Sequence, residues 1–128
     1  MVEQEEILTR GGVYLARLDP SKGAETGKIR PVLVLTAQTI LDVNPPIIFI
    51  CPLSSQSQPA FSSLHVELTP RDNLNAISYA LAEHCRSISI RRFIFPRLAQ
   101  LTNTEMRTIL HKLQRLIDLP PINLAKRI

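Results

Sequence analysis

The chain contains no Trp, and Phe and Tyr together make up only 5% of it. Any core built from such a chain is aliphatic. Cysteine is nearly as scarce, with only Cys51 and Cys85. A structural zinc site takes four ligands, and the sequence offers no such set of Cys and His residues, so no metal and no cofactor is expected. A disulfide between the two is not expected in a reducing compartment. They read as buried strand residues, since free Cys is among the residues most often buried. No apolar run approaches the roughly 20 residues that a spanning helix needs, so no membrane partner is expected. The N-terminus, Met1-Val2-Glu3-Gln4-Glu5-Glu6, is acidic and lacks the basic start and apolar segment of a secretory signal. The protein is read as cytoplasmic.

What remains is an ordinary single domain. The 128 residues are 45% hydrophobic and 20% charged, enough apolar material for one core and too much for a disordered chain. The net charge is +4. Acidic residues gather at the start, whereas Arg86, Arg91, Arg92 and Arg97, followed by Arg107, Lys112 and Arg115, fall in the last third. A basic surface attracts nucleic acid or an acidic protein.

The order of elements follows from periodicity. Residues 12–18, GVYLARL, read as a strand, and Asp19-Pro20-Ser21-Lys22-Gly23 as a turn. Pro31 to Thr36 reads as a second strand, apolar on both faces. Ala37 to Asn44 is a short helix or an irregular excursion, ended by Pro45-Pro46. The strongest strand signal is Ile47-Ile48-Phe49-Ile50-Cys51, with Pro52 closing it or marking an edge. Leu53 to Ser63 reads as polar loop and Leu64 to Leu68 as an alternating strand. Ala76 to Ile90 reads as one or two strands that bend at Arg86-Ser87. Thr102-Asn103-Thr104-Glu105 has the form of a capping box. Met106, Ile109, Leu110, Leu113, Leu116 and Ile117 then recur at spacings of three and four, the stripe of an amphipathic helix, which Pro120-Pro121 stops. Strands first and one strong helix last disfavour a doubly wound parallel sheet. The expected fold is mainly β, a small, strongly bent antiparallel sheet or barrel with a C-terminal α-helix. The domain is placed at residues 1–119, with 120–128 as a tail.

Three stretches carry candidate chemistry. In Gly23-Ala24-Glu25-Thr26-Gly27-Lys28-Ile29-Arg30-Pro31, a loop runs into an apolar strand through Arg-Pro. Pro31 holds Arg30 extended, so the guanidinium projects from the start of a rigid strand. Its planar fork of donors suits a phosphate. A surface loop in which Arg30 pairs with Glu25 is the alternative. The second stretch, Pro52-Leu53-Ser54-Ser55-Gln56, can present a hydroxyl at the end of a central strand. No Gly-x-Ser-x-Gly elbow surrounds it, so a serine hydrolase is not supported. The third, Glu83-His84-Cys85-Arg86, holds a carboxylate, an imidazole and a guanidinium. Strand alternation places Glu83 and Cys85 on one face and His84 and Arg86 on the other, so all four serve one site only if the strand bulges or bends.

Taken together, these stretches resemble the MazF/PemK family of toxin endoribonucleases. Arg10-Gly11-Gly12-Val13-Tyr14-Leu15-Ala16 with Leu18-Asp19-Pro20 resembles the family's first strand and turn. Residues 23–34 resemble its most specific motif, Gly-x-Glu-Gln-x-x-x-Arg-Pro-Val-Leu-Val. Pro52-Leu53-Ser54-Ser55 resembles the segment with a functional Thr or Ser, and Glu83 to Ile88 the acidic-x-x-Arg-Thr-Ile segment. Thr26, Leu81 and Ser89 depart from the pattern, standing where Gln, the Arg of PemK-type members, and Asp are found. The resemblance implies an SH3-like barrel with a C-terminal helix, usually a homodimer. It also implies a toxin of a toxin–antitoxin system that cleaves single-stranded RNA, often mRNA, at short sequences without a metal. The implied partners are that RNA and a cognate antitoxin whose acidic or apolar segment lies over the RNA site.

The resemblance further implies Arg30 and Ser54 as catalytic residues, and Glu83 as the base that takes the 2′-OH proton. Relatives with the arginine in acid–base roles leave the base and acid open. RNA contacts are implied for Glu25, Lys28, Ser55, Gln56 and Arg86. A gyrase-poisoning toxin of the same barrel fold and a non-catalytic RNA-binding barrel are the rival expectations.

Overall fold

The computed structural model describes residues 6–18 and 28–117. The chain runs through β1 (Gly12–Arg17), β2 (Ile29–Val34), α1 (Gln38–Leu41), β3 (Ile47–Ser54), β4 (His65–Leu68), β5 (Ser78–Leu81), β6 (Arg86–Ser89), β7 (Phe93–Gln100) and α2 (Asn103–Leu116). The strands form one bent sheet in the order β4-β5-β3-β2-β1-β7, with β6 also paired to β3. Every pairing is antiparallel. This is the mainly β architecture with a terminal helix that the strand and helix signals predict. Among the described residues no ladder joins the edge strands β4 and β7. The Asn73 N–H, in the turn after β4, donates to the Leu98 carbonyl of β7 at 3.0 Å.

The two central strands are apolar on both faces because both faces are covered. In β2, Leu33 enters one core cluster while Val32 and Val34 enter another. In β1, Val13 joins the first cluster, and Tyr14 and Ala16 the second. Successive strand residues point to opposite faces, so the clusters lie on opposite sides of the sheet. Helix α2 covers the first with Met106 and Ile109, both buried. Burying two such side chains contributes about 1.5–3 kcal/mol each. Leu8, Leu41 of α1 and Phe93 of β7 complete the second cluster.

Helix α2 begins as its capping box predicts. The Thr102 hydroxyl accepts from the Glu105 N–H at 3.2 Å, and the Glu105 carboxylate accepts from the Thr102 N–H at 2.9 Å. Arg71 donates two hydrogen bonds to the same carboxylate, one of them at 2.6 Å, and ties the helix start to the turn after β4. The apolar stripe reaches less far than its spacing predicts. Leu113 still packs on the core, but Leu116 and Ile117 are exposed.

Two boundaries differ from expectation for one reason. Strand β3 does not close at Pro52 but continues to Ser54. On its outer side it pairs first with β6, up to Ile50 opposite Arg86, and then with β5, from Leu53 opposite Ala80. Three steps along β3 thus match six along its neighbours, and Ala82–His84 loops out as a 3₁₀ turn. The bend therefore falls at Ala82–His84, not at Arg86-Ser87. Pro52 sits in the gap between the two ladders, where its missing N–H is not needed. Cys51 is buried in β3, as expected. Cys85 lies just after the turn rather than in a strand and is half-buried, and both are free thiols. The thiol of Cys51 is pushed well up, first by its hydrogen bond with Cys85 and then by burial.

Candidate active site

The register of β2 against β3 sets the site. Val34 faces Ile50, Leu33 faces Cys51 and Val32 faces Pro52. Arg30 lies two residues before Val32 and Ser54 two residues after Pro52, so each lies beyond the last residue of this ladder on its strand, toward the same end of the sheet. Arg30 and Ser54 alternate with Leu33, Cys51 and Leu53 of the first cluster, so they point to the face of Val32 and Ile50. The apolar floor of that face thus ends in a guanidinium and a hydroxyl.

Both residues line a pair of adjoining cavities of ≈ 580 Å³ and ≈ 510 Å³, which share Lys28, Arg30, Ser54 and Gln56. The larger extends past Ser55 to Asn73, Asn75 and Ser78. The smaller extends past Pro52 and Leu81 to His84 and Arg86. Among the described residues no carboxylate lines either cavity, whereas Lys28, Arg30 and Arg86 do. The ion pairs among the described residues are His65–Glu83, Arg71–Glu105 and His84–Glu83. The three cations of the cleft are in none of them. The Ser54 hydroxyl oxygen accepts from the Gln56 N–H at 3.1 Å, which fixes its position and leaves its proton free to donate. A row of cations beside a hydroxyl donor is suited to an oxyanion with charge on several oxygens, such as a phosphodiester.

The residues expected from sequence divide accordingly. Arg30, Ser54, Lys28, Ser55, Gln56 and Arg86 line the cleft. Glu25 lies outside the described residues, as do Thr26, the glycines of its loop and the boundary between domain and tail. Glu83 is not in the cleft. Its carboxylate turns inward, with Oε2 2.7 Å from the Nε2 of buried His65. Glu83, expected as the group that meets the 2′-OH, thus stands behind the lining of the two cavities, on the core side of the 3₁₀ turn. His84, the neighbour that alternation puts on the other face, is in the lining instead. Asn73 and Asn75 also line the cleft without any sequence signal. They arrive through the turn after β4, whose position the tertiary contact with Leu98 sets.

Among the described residues, no group of three or more His, Cys, Asp or Glu side chains is placed to hold a metal ion. Nor is any helix long and apolar enough to cross a membrane.

A bent antiparallel sheet whose end carries a cationic, hydroxyl-bearing cleft defines a small phosphate-handling β protein. The comparisons make the class specific. The chain belongs to the family of PemK-like, MazF-like toxins of type II toxin–antitoxin systems, whose model matches residues 9–117. It is 30% identical over 104 residues to the endoribonuclease MazF of Staphylococcus saprophyticus, covering 80% of this chain and 85% of that protein. MazF from Deinococcus radiodurans shares the fold with a TM-score of 0.72 at 24% identity, over 90% of this chain and all (100%) of that one. A mycobacterial endoribonuclease solved in complex with its cognate antitoxin shares it with a TM-score of 0.67 at 19% identity, over 88% of this chain and 97% of that one.

Proposed function

We propose that this toxin-family chain is a metal-independent endoribonuclease that cuts single-stranded RNA, mRNA included, at short sequences by attack of the 2′-OH on the adjacent phosphorus. The observation that carries this reading is that Arg30 and Ser54 line the same two cavities together with Lys28, and that among the described residues no carboxylate lines them. The relative from Staphylococcus saprophyticus, named an endoribonuclease, supports it.

The chemistry follows from the charges. As O2′ approaches phosphorus, the crowded phosphorane gains negative charge on its equatorial oxygens. Arg30 holds that charge with a fork that needs no reorganisation, and Ser54 donates a further hydrogen bond to a phosphoryl oxygen. Lys28, Gln56 and Arg86 hold the flanking backbone, and Ser55 the nucleotide on the Asn75 side. Breaking P–O5′ leaves a 2′,3′-cyclic phosphate and a 5′-OH. The same cationic cleft suits an antitoxin that covers it with an acidic or apolar segment. The mycobacterial neighbour solved with its cognate antitoxin is consistent with such a partner. The working form is a cytoplasmic homodimer.

The test is incubation of the purified protein with a mixed RNA in EDTA, with the ends of every fragment mapped. Fragments ending in 2′,3′-cyclic phosphate and beginning with 5′-OH are expected. Intact RNA, with or without added divalent ions, refutes the reading. A parallel supercoiling assay with gyrase then separates a gyrase poison from a barrel that merely binds RNA.

A further inference from the structure

We propose that His84 is the general base of this cleft and that the Glu83 carboxylate, held from the core side by His65, stabilises its protonated form. The inference rests on the proposed RNA cleavage and assigns its proton transfer to a residue that the motif does not supply.

Transfer of the 2′-OH proton needs a group that is neutral or anionic near neutral pH and faces the scissile phosphate. The lining of the smaller cavity nearly decides which. Lys28, Arg30 and Arg86 are cations, Ser54, Gln56 and Gln58 are not bases in water, and Leu18, Pro52 and Leu81 are apolar. That leaves His84. An imidazole ordinarily titrates near pH 6.5, the useful range for a base at neutral pH. The side chain of His84 is 61% exposed, so it is accessible to a substrate.

The surroundings of His84 are organised to receive a proton. Its Nε2 lies 3.9 Å from Oε2 of Glu83, and the same oxygen is 2.7 Å from Nε2 of His65. The carboxylate is only 20% exposed, and its Oε1 is buried without a hydrogen-bond partner. A carboxylate so placed, with one oxygen unpartnered, still has acceptor capacity. At 3.9 Å it makes no hydrogen bond to the ring, but its charge stabilises an imidazolium formed beside it. His65, in β4, anchors that carboxylate from the core side. On the same side Cys51 and Cys85 lie beyond Glu83, while Lys28, Arg30 and Arg86 face His84 from the cleft.

In the step so assigned, the His84 imidazole takes the proton from O2′ as the O2′–P bond forms. The P–O5′ bond breaks with its electron pair left on O5′. That oxygen takes a proton from solvent water, and the imidazolium neutralises the hydroxide so formed. Arg30 and Ser54 hold the phosphoryl oxygens throughout.

The test compares the parent with His84→Gln, His84→Ala and Glu83→Gln in single-turnover RNA cleavage from pH 5 to 8.5, in EDTA. In the parent, the rate falls about tenfold per pH unit below the imidazole range and levels off above it. His84→Gln loses that limb and cuts about 10²- to 10⁴-fold more slowly at the plateau. Added imidazole restores cleavage to His84→Ala, a rescue that a purely structural role does not give. Glu83→Gln keeps an amide able to bond His65 but removes the charge beside the imidazolium, so cleavage slows while the acid limb of the pH profile is kept. Cleavage by His84→Gln at the parental rate, with the parental pH profile, overturns the proposal while leaving the RNA cleavage itself established. A parent that leaves RNA intact refutes the cleavage reading instead.

Discussion

Arg30 and Ser54 are expected to act on one phosphate, and a double-mutant cycle measures whether they do. Arg30→Ala removes a preorganised cation aimed at the developing charge. Loss of one such group costs on the order of 10²- to 10³-fold, about 2.7–4 kcal/mol. Ser54→Ala removes one donor to a charged acceptor, worth about 1.5–3 kcal/mol, or roughly 10- to 150-fold in rate. The hydroxyl also accepts from the Gln56 N–H at 3.1 Å, but that pair is exposed, so water replaces it and the stability loss stays below about 1 kcal/mol. Both variants should therefore melt close to the parent, and the rate loss can be read as chemistry.

Two groups that grip one phosphorane do not contribute independently. With Arg30 gone the phosphate shifts, and Ser54 loses part of its own hold. Coupling between residues that share a partner is about 0.5–3 kcal/mol. The double variant should then cut at least about twofold faster than the product of the two single losses predicts. The assay is single-turnover cleavage of a labelled RNA with enzyme in excess, which excludes product release from the rate. Arg30→Lys provides a further arm: it keeps the charge but loses the planar fork, so its rate should fall between those of the parent and Arg30→Ala. Strictly multiplicative losses, or either single variant cutting at the parental rate, refute a shared phosphate at this pair.

The remaining predictions concern what holds the cleft in place. Ile109→Ala, in the fully buried face of α2, should cost about 2–5 kcal/mol in urea unfolding while the rate per folded molecule is kept. Hydrogen bonds from Arg71 hold the Glu105 carboxyl below its ordinary value of 4.5. A carboxyl lowered on folding contributes stability above its unfolded value, and that stability is lost as pH falls through the folded one. Glu105→Gln, which preserves the capping geometry, should therefore be less stable than the parent at pH 7, and the gap should narrow as pH drops below about 4. A gap that stays constant across that range on urea unfolding counts against the ion pair as its source.

Much of the fold was legible because its signals are local. The apolar run of β2 states burial on both faces, and the capping box at Thr102 states where α2 begins. Strand β7 was not legible. Its sequence, Phe93–Gln100, carries Pro96 in the middle, which argues against a strand. It is nonetheless tolerated, because β7 lies at the edge and pairs only with β1. The handover from β6 to β5 along β3 was also hidden. It depends on which strand reaches β3 first, a tertiary fact that no stretch of residues records alone.

The site shows the same division between local and tertiary information. The glycine loop, Arg30-Pro31 and the Ser54 segment are local motifs, and Arg30 and Ser54 come to line the same cavities through the tertiary fold. For Glu83 to Arg86 the motif and the physics disagreed from the outset. The motif singles out the carboxylate, whereas alternation puts Glu83 and Cys85 on one side of the chain and His84 and Arg86 on the other. The 3₁₀ turn at Ala82–His84 supplied the bend that would have been needed to reconcile them, yet the faces stayed apart: Cys85 packs on the core, Glu83 meets buried His65, and His84 and Arg86 line the cleft. A carboxylate behind an imidazole is also a better arrangement for this cleft than a carboxylate within it. An anion among Lys28, Arg30 and Arg86 would pair with the cations needed for the phosphate. A neutral imidazole leaves them free and becomes cationic only after it has taken the proton.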